Sequence, residues 1–553
     1  MTVSRRAFLK AAALYGLSYG PAAARAADTR EVLYNGITLA APWPPRNRSF
    51  IDTPIAAPYL ADPPPVVPID LGRQLFVDDF LIEERSLNRT FHAAEYHPSS
   101  PVLRPATAWE RHDDSAERTR TRANPAAMVF SDGVFYDPHD RIFKMWYMGG
   151  YAQNTCLALS ADGIAWERPT LDVVRGTNIV HQELRDSNTV WLDLDAERSV
   201  RFKMASFNGS ENALLFYTSP DGIHWSAAGK SGPTGDRTTM FYNPFRRVWV
   251  FSLRGFEMPG FTGRFRRYVE TPRFPPAKWR ADDPVLWVAA DRLDTPRRQY
   301  ASASQLYNLD CVAYESLMIG LFTIFRGEGT DREKPNDVCV GFSRDGFHWS
   351  RPSRDPFVGV SERVGDWNWA NVQSAGGCCL VMGDRLFFYV SGRQGLPGTD
   401  LPGVCSTGLA TLRRDGFASI NDTVSPEKPM RVSPSSLRQL TTRPVRFSGR
   451  HLFVNADVSR GELRVEVLDI AGRVIEPFSL SRSTRIRGIN GTRLRVTWAG
   501  RQTLEDLAAE SVRFRFVLNG GRLYSFWVSQ SPGGASRGYV GAGGPGFSRA
   551  IDE

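Results

Sequence analysis

The sequence predicts an all-β protein in which repeated sheets form one large domain and a smaller sheet domain follows. Three observations lead to this prediction. A short turn pattern recurs at regular spacing, β-prone runs occupy the same place in every repeat, and the C-terminal part of the chain alternates apolar and polar residues. With 553 residues, of which 42% are hydrophobic and 23% charged, the chain is long enough for a closed repeat architecture and a second domain.

Residues 1–27 resemble a twin-arginine export signal. The basic stretch Ser4–Lys10 precedes an apolar run over 11–20 and small residues that end in Ala24-Arg25-Ala26. A membrane anchor is the alternative, but the apolar run is shorter than the roughly 20 residues that a spanning helix needs. We therefore expect export to the periplasm or the exterior and no transmembrane segment in the mature chain.

The charge and the cysteines exclude two classes of function. Basic residues exceed acidic ones by 9, and removal of the signal leaves about +5, scattered along the chain rather than concentrated in a stripe. We therefore exclude nucleic acid as a partner. The six cysteines form no C-x-x-C pair and no histidine stands at ligand spacing, so we expect no metal site and no cofactor.

After a Pro-rich lead-in over residues 28–70, one heptapeptide pattern, S-x-D-G-x-x-W, recurs along the chain. It occurs at Ser160–Trp166, Ser219–Trp225 and Ser343–Trp349, and a degenerate copy follows at Arg413–Ser419. The spacing leaves one copy missing near residue 280, where Trp279 remains without the Asp-Gly pair. The copies thus define five units of about 63 residues.

Each unit carries a strongly β-prone second run bounded by turn residues. The runs are FKMWYM, FKMASF, VWVFSL, LMIGLFTIF and LFFYV, which begin at residues 143, 202, 248, 317 and 386. Three or four strands per unit without helical periodicity predict a five-bladed β-propeller over residues 71–425, because radial repetition leaves only short, protected sheet edges. A single long sandwich is the alternative, and it would not explain the period.

The repeated turn has a structural explanation. Its aspartate can accept hydrogen bonds from backbone amides of the turn, its glycine supplies a positive φ, and its tryptophan covers the blade. The pattern resembles the Asp-boxes of sialidases and other glycosidase propellers. We therefore expect Asp162, Asp221 and Asp345 to lie away from the site.

The end of the chain has a different pattern. Short alternating strands separated by Gly-containing turns predict a β-sandwich over residues 440–530; they include LRVEVLDI, RLRVTW, VRFRFVL and RLYSFWV. Residues 531–553 are Gly-rich, which predicts a flexible tail.

Candidate site residues are the polar residues at the starts of the innermost strands, because these strands converge at one mouth of a propeller channel. Three carboxylates stand among them, with arginines, amides and aromatic groups that suit a sugar. The residues are Asn124, Arg185, Asp186, Asn188, Asp236, Arg237, Tyr314, Glu315, Trp369, Asn371 and Gln373. A structural calcium ion would be compatible with such a channel, although no ligand spacing argues for it.

A five-bladed propeller followed by a sandwich that ends in VRFRFVLNGGRLYSFWV resembles the invertase and levanase-like glycoside hydrolases of family 32, and more distantly the arabinanase-like family 43. Stretches such as RQLFVDDFLIEE, GDRTTMFYNP, QLYNLDCVAYES and WNWANVQSAGG are also similar to a group of exported bacterial glycosyl hydrolase-like proteins. The resemblance implies an exported glycoside hydrolase that acts on an oligo- or polysaccharide, with furanosides among the candidate substrates.

The family pattern is matched only in part. Family 32 uses an Asp in blade one, within Asn-Asp-Pro, and a Glu in blade three, while an Arg-Asp-Pro aspartate in blade two holds sugar hydroxyls. Arg185-Asp186 matches the Arg-Asp pair, but Ser187 stands at the proline position. Blade one has Asn124-Pro125 and no Asp, and blade three has Asp236 in place of Glu.

The missing carboxylate must therefore come from elsewhere. We expect Glu315 first and Asp79 second. In this scheme Glu315 donates the proton, Asp236 acts as nucleophile or base, and Asp186 holds substrate hydroxyls.

Two functions remain open: an exported glycosidase, and a non-catalytic glycan-binding propeller that has lost the blade-one nucleophile. Each carboxylate also has a structural explanation, since Asp186 and Asp236 could anchor neighbouring arginines and Glu315 could form a buried ion pair. Convergence of three carboxylates on one mouth favours the enzyme, because a lectin gains little from concentrated negative charge.

Overall fold

The protein is almost entirely β-structure. The computed structural model describes residues 30–46, 53–112, 124–258, 261–300, 302–329, 331–422 and 438–553, so the predicted export signal lies outside the described residues. Helical structure in these residues is limited to Pro58–Ala61 (α1), Ala108–Arg111 (α2) and the 3₁₀ turns Arg198–Val200 and Glu505–Leu507. No helix in the described ranges is long and apolar enough to cross a membrane. The all-β prediction is confirmed.

Five short strands precede the repeated sheets. They are β1 (Val67–Pro68), β2 (Gln74–Leu75), β3 (Ile82–Arg85), β4 (Asn88–Phe91) and β5 (Glu95–Tyr96). Each of these strands pairs with a strand from much later in the chain, so the N-terminal segment is built into sheets that the rest of the sequence forms.

Five antiparallel sheets, called sheets I to V, follow in chain order. Sheet I has β6 (Ala127–Asp137), β7 (Ile142–Gly149), β8 (Asn154–Ser160) and β9 (Ile179–His181), and sheet II has β10 (Asn188–Leu192), β11 (Phe202–Asn208), β12 (Ala213–Ser219) and β13 (Ser226–Pro233). Sheet III has β14 (Thr239–Asn243), β15 (Val248–Met258), β16 (Phe261–Thr271) and β17 (Val285–Ala289), and sheet IV has β18 (Gln305–Glu315), β19 (Leu317–Phe325) and β20 (Asn336–Ser343). Sheet V has β21 (Asn371–Ser374), β22 (Leu380–Met382), β23 (Arg385–Arg393) and β24 (Cys405–Arg413), with β5 paired to β24.

The first strands of the five sheets contact one another in a ring. Strand β6 lies against β10, β10 against β14, β14 against β18, β18 against β21, and β21 against β6. Cross-links join residues near the strand starts: Thr239 Oγ1 donates to the carbonyl of Leu309 (2.9 Å), and Asn308 Nδ2 donates to Ser131 Oγ (3.3 Å). The five first strands therefore begin at one end of the ring, which we call the mouth.

The predicted second runs lie in β7, β11, β15, β19 and β23, so these strand predictions are confirmed. One apolar core joins all five sheets, and the aromatic residues of the second strands are largely buried in it. Where sheets I and II meet, Gly133 (φ +124°) brings the backbones together, since a Cβ there would lie 3.0 Å from the carbonyl oxygen of Val190. Aromatic and branched side chains on pleated, buried surfaces account for the strand formation.

The repeated turns have the predicted structural role. In the first, Asp162 Oδ1 accepts hydrogen bonds from the amides of Ile164 (2.7 Å) and Ala165 (2.8 Å), and the turns of Asp221 and Asp345 repeat this arrangement. Each turn follows the third strand of its sheet, at the end opposite the mouth.

The turns also join neighbouring sheets. Trp146 Nε1 donates to the carbonyl of Gly222 (2.8 Å), and Trp287 Nε1 donates to the carbonyl of Phe347 (2.8 Å). A tryptophan of one sheet thus caps the turn of the next, which fixes the angle between them.

Two further sheets follow the ring. Their strands are β25 (Ala418–Asn421), β26 (Gln439–Thr442), β27 (Val445–Arg446), β28 (His451–Asp457), β29 (Glu462–Leu468), β30 (Ile486–Arg487), β31 (Asn490–Arg495), β32 (Ser511–Asn519) and β33 (Arg522–Ser529). Sheet VI has the order β1-β27-β32-β26-β3 with β29 and β30 attached, and sheet VII has the order β31-β28-β33-β25-β4 with β2 attached. Both sheets contribute to one apolar core, in which Phe516 of sheet VI packs on Phe526 of sheet VII.

Residues 531–553 do not form the flexible tail that the sequence predicts. Strand β34 (Tyr539–Val540) pairs with the end of β18, the carbonyl of Ala542 accepts from the amide of Tyr136 (3.0 Å), and the amide of Val381 donates to Gly543 (2.9 Å). The tail thus contacts sheets I, IV and V at the end of the ring opposite the mouth.

The glycines explain this difference. A Cβ at Gly544 would lie 1.9 Å from the carbonyl oxygen of Val381, and one at Gly541 would lie 2.4 Å from that of Cys379. The Gly-rich composition therefore permits close backbone packing rather than mobility.

Candidate functional site

Two carboxylates adjoin at the mouth, where sheets II and III begin. Asp186 Oδ1 accepts a long hydrogen bond from the amide of Arg237 (3.4 Å), and Asp236 directly precedes that residue. Both aspartates are half-buried. Burial raises the pKa of Asp236 and the charge of Asp186 raises it further, against the lowering effect of Arg254, which forms an ion pair with Asp236.

Arg185 is held by a carboxylate of sheet I. Its Nη1 and Nη2 lie 2.7 and 2.6 Å from the two oxygens of Asp132, and Nη1 also donates to Thr155 Oγ1 (3.2 Å). Both members of the pair are buried. Asp132 lies in a bulge of β6, where pairing with β7 shifts between Met128 and Gly133. Sheet I therefore carries a buried carboxylate that the sequence analysis does not single out, and a guanidinium contacts both of its oxygens.

A second buried ion pair faces the same mouth from sheets IV and V. Arg393 Nη1 lies 2.9 and 3.1 Å from the oxygens of Glu333, and Lys334 Nζ lies 3.5 Å from Glu333. Arg264 Cζ lies 5.1 Å and Lys334 Nζ 5.9 Å from the ring centroid of Tyr307. A cavity of about 420 Å³ opens here, and Arg264, Arg332, Glu333 and Lys334 are among its lining residues.

Asp310 lies deeper in the ring on β18. Its Oδ2 accepts hydrogen bonds from Asn308 Nδ2 (2.7 Å) and Ser374 Oγ (2.5 Å), and the residue is buried. Burial raises the pKa of Asp310 to about 6, although these hydrogen bonds and the charges of Arg237 and Arg266 lower it.

Amide and indole groups around the mouth have unused hydrogen-bonding atoms. Asn371 Nδ2 donates to the carbonyl of Lys334 (2.6 Å) and its Oδ1 accepts from Gln373 Nε2 (2.8 Å), while Asn188 Nδ2 donates to Thr155 Oγ1 (2.7 Å). Within the described part of the chain, the remaining side-chain atoms without a hydrogen-bond partner include Asn188 Oδ1, Asn308 Oδ1, Trp369 Nε1 and Gln373 Oε1. Buried polar atoms of this kind need a ligand or water.

Two more of the expected binding residues flank these groups. The carbonyl of Asn124 accepts from the amide of Tyr151 (3.1 Å), which fixes the chain before β6. Arg332 stacks on the indole of Trp369 at 4.7 Å and donates to its carbonyl (2.9 Å). The indole face is therefore already occupied by a guanidinium.

The structure does not bring Glu315, Tyr314 or Asp79 to the mouth. Glu315 ends β18, eight residues beyond Tyr307, which corresponds to about 26 Å of strand. It accepts hydrogen bonds from Ser536 Oγ (2.7 Å) and Arg414 Nη2 (3.1 Å), as the ion-pair alternative anticipated.

The other two residues have separate partners. Tyr314 donates its hydroxyl hydrogen to Asp415 Oδ1 (2.6 Å) in the same buried cluster. Asp79 is exposed beside sheets VI and VII, and its Oδ1 pairs with Arg89 Nη2 (2.5 Å). We therefore leave all three out of the site.

The sequence analysis does not identify several residues of the mouth, among them Asp132, Asp310, Glu333 and Arg393. Asp132 stands in Ser-Asp-Gly, which is typical of a turn rather than a strand bulge. Asp310 is two residues from Asn308, so strand alternation places both on one face and could have identified it. Glu333 comes from the loop between β19 and β20, whose position the sequence does not give.

No family model and no curated protein sequence matches the chain. Several solved structures are similar to it. An N-acetylgalactosamine deacetylase from F. plautii in complex with blood group B trisaccharide has a TM-score of 0.40 at 14% identity, covering 57% of this chain and 97% of its own. A thermostable family-43 glycoside hydrolase has a TM-score of 0.39 at 12% identity, covering 57% of this chain and 100% of its own.

A β-fructofuranosidase from Schwanniomyces occidentalis complexed with fructosyl-erythritol covers 74% of this chain and 96% of its own, with a TM-score of 0.33 at 10% identity. Because these TM-scores are low, we argue the function from the side chains of the mouth. Glycoside hydrolases, the class that the sequence resembles, are thus among the solved structures similar to this chain.

Proposed function

We propose that sheets I to V are the five blades of a β-propeller and that sheets VI and VII form a β-sandwich. The ring of contacts among the five first strands supports the first assignment, and the common apolar core of the last two sheets supports the second. In this arrangement the mouth is the opening of the propeller channel.

We further propose that the protein is a glycoside hydrolase whose chemistry takes place at this mouth. The observation that carries the proposal is the adjoining pair of half-buried carboxylates, Asp186 and Asp236, with the pKa of Asp236 raised by burial and by the charge of Asp186. Glycoside hydrolysis needs two carboxyl groups, one protonated and one ionised, and a neighbouring acid with a raised pKa suits the protonated role.

The raised pKa of Asp236 assigns it the role of the acid. Asp236 gives its proton to the glycosidic oxygen while the bond from that oxygen to the anomeric carbon breaks. Asp186 either attacks the anomeric carbon or takes a proton from the attacking water. Water supplies the hydroxyl group on the anomeric carbon and the proton that restores the acid. This scheme transfers the acid role from Glu315 to Asp236.

The test is a screen of the parent protein, Asp236→Asn and Asp186→Asn against furanosides and plant or algal glycans. We expect both variants to lose turnover by about 10²- to 10⁴-fold while they still bind the glycan. Activity should also fall as the pH rises through the raised pKa of Asp236, because the acid must be protonated. Asp282→Asn, which changes an exposed aspartate outside the mouth, is the matched control. Full activity of Asp236→Asn would eliminate the proposed acid.

A glycan-binding module without catalysis is the second candidate. The bidentate contact of Arg185 with Asp132 favours it, because this contact engages both oxygens of the carboxylate of sheet I and leaves neither free to attack a sugar. Glycan binding without turnover in the parent protein would establish this alternative.

A further inference from the structure

In the part of the chain that the structure describes, the buried guanidinium of Arg237 has no hydrogen-bond partner. Among the residues that the structure describes, none accepts a bond from its Nε, Nη1 or Nη2, although the residue is only 2% exposed. The backbone is firmly held, because its amide contacts Asp186 and its carbonyl accepts from Arg266 Nη2 (2.7 Å). Its backbone φ of +52° lies in the left-handed region, which residues other than glycine rarely adopt. The fold thus fixes Arg237 in place and leaves its donors unused.

The faces of the guanidinium are occupied, whereas its edges are not. Arg237 Cζ lies 3.8 Å from the ring centroid of Phe130 and 5.8 Å from that of Tyr307. Phe130 also has a positive φ, +46°, in the bulge of β6. Stacking on rings satisfies the faces of a guanidinium but none of its N–H groups, which point outward in its plane.

Four other buried arginines of this protein have carboxylate partners at those edges. Each member of the following set donates hydrogen bonds to both oxygens of a buried carboxylate: Arg185 to Asp132, Arg344 to Asp78, Arg351 to Asp294 and Arg393 to Glu333. An unpaired buried charge is strongly destabilising. Arg237 differs from this set in that no carboxylate of the described residues accepts a hydrogen bond from it, although the charges of Asp186 and Asp310 act on it.

We propose that Arg237 binds an anionic group of the glycan, either a carboxylate or a sulfate ester, at the mouth. The guanidinium fork matches either group in a bidentate contact. Arg264 and Lys334, which face the same Tyr307 ring and line the cavity of about 420 Å³, add positive charge on the approach. This inference rests on the proposed function, since it names the charge of the glycan bound there.

The experiment compares three probes that differ in one group: glucose, glucuronate and glucose 6-sulfate, titrated into the full-length protein by calorimetry. We expect the parent protein to bind a charged probe at least tenfold more tightly than glucose, and Arg237→Met to lose that preference. The preferred charged probe identifies carboxylate or sulfate as the source. The control variant is Arg473→Met, which removes an exposed positive charge from the turn after β29 of sheet VI. It should bind all three probes as the parent does.

A structural role for Arg237 is tested separately by urea unfolding without ligand. Because burial of the Arg237 charge outweighs its attraction to Asp186 and Asp310, Arg237→Met should unfold at the same or a higher urea concentration than the parent. If that variant does not fold, Arg237→Lys retains the charge without the fork and should bind the charged probe at least tenfold more weakly. Equal binding of glucose and both charged probes by the parent, or unchanged binding by a folded Arg237 variant, would overturn the inference. Binding of charged probes without cleavage of any glycan would instead contradict the hydrolase and leave the inference intact.

Discussion

Replacement of Glu315 by glutamine should destabilise the protein without impairing its chemistry. The carboxylate is fully buried and accepts hydrogen bonds from Ser536 Oγ (2.7 Å), the amide of Arg73 (3.1 Å) and Arg414 Nη2 (3.1 Å). A glutamine of the same shape loses the charge that two buried guanidinium groups face. Breaking a buried pair costs about 3–5 kcal/mol, because it leaves uncompensated charge.

The destabilisation by Glu315→Gln should lie at the lower end of that range of about 3–5 kcal/mol, because both arginines keep another carboxylate partner. Arg73 keeps Asp415 Oδ2 at 3.0 Å, and Arg414 keeps Asp552 Oδ2 at 3.5 Å. We therefore expect the free energy of unfolding to fall by about 3 kcal/mol, measured by urea titration with tryptophan fluorescence. Glu95→Gln, at an exposed position of β5, is the matched control and should change it by less than about 0.5 kcal/mol.

Two results would refute this reasoning. A loss of stability below about 1 kcal/mol would mean that the buried cluster does not depend on the charge of Glu315. Loss of glycan turnover in a variant as stable as the parent would restore Glu315 as the acid and remove Asp236 from that role.

Three further predictions concern carboxylates. Burial opposes ionisation of Asp415, but Arg73 and Arg414 outweigh this effect and lower the pKa of Asp415 to about 2. The ionised group therefore contributes about 2 kcal/mol to the free energy of unfolding above pH 4, and this contribution is lost as the pH falls towards 2. Asp415→Asn should remove this acid dependence in urea titrations at several pH values. The pKa shift of Asp310 has the opposite sign, because its pKa of about 6 lies above the unfolded value. The protonated group contributes about 3 kcal/mol to the free energy of unfolding below pH 4, and this contribution is lost as the pH rises through 6. Asp310→Asn should therefore reduce the pH dependence of stability in this range. Replacement of a turn aspartate by alanine should lower the free energy of unfolding by about 1 kcal/mol without changing turnover per folded molecule. The three positions are Asp162, Asp221 and Asp345. A variant that is as stable as the parent but inactive would contradict the structural role.

The strands and turns were predictable because they depend on local chemistry. Aromatic and branched runs such as Leu317–Phe325 form strands wherever their faces can be buried, and the Asp-Gly turns close by bonds within a few residues. Spacing of those turns then fixed the number of repeated units.

The site was only partly predictable because it depends on contacts between distant residues. Tyr307 and Tyr314 both stand in apolar parts of the same strand, and nothing in the sequence shows that β18 begins at Gln305 and ends at Glu315. Asp132 and Glu333 reach the mouth through a strand bulge and a loop, whose geometry is set by tertiary packing. The same limitation applies to the tail, whose glycines indicate mobility in a peptide but close packing here.

The packed tail has a consequence for the traffic of ligands. Residues 539–543 bond to sheets I, IV and V at the end of the ring opposite the mouth and so lie across that end. In the proposed propeller, a ligand between the five first strands would therefore enter from the mouth and leave by the same side. Binding of a new ligand there would require that the previous one has left.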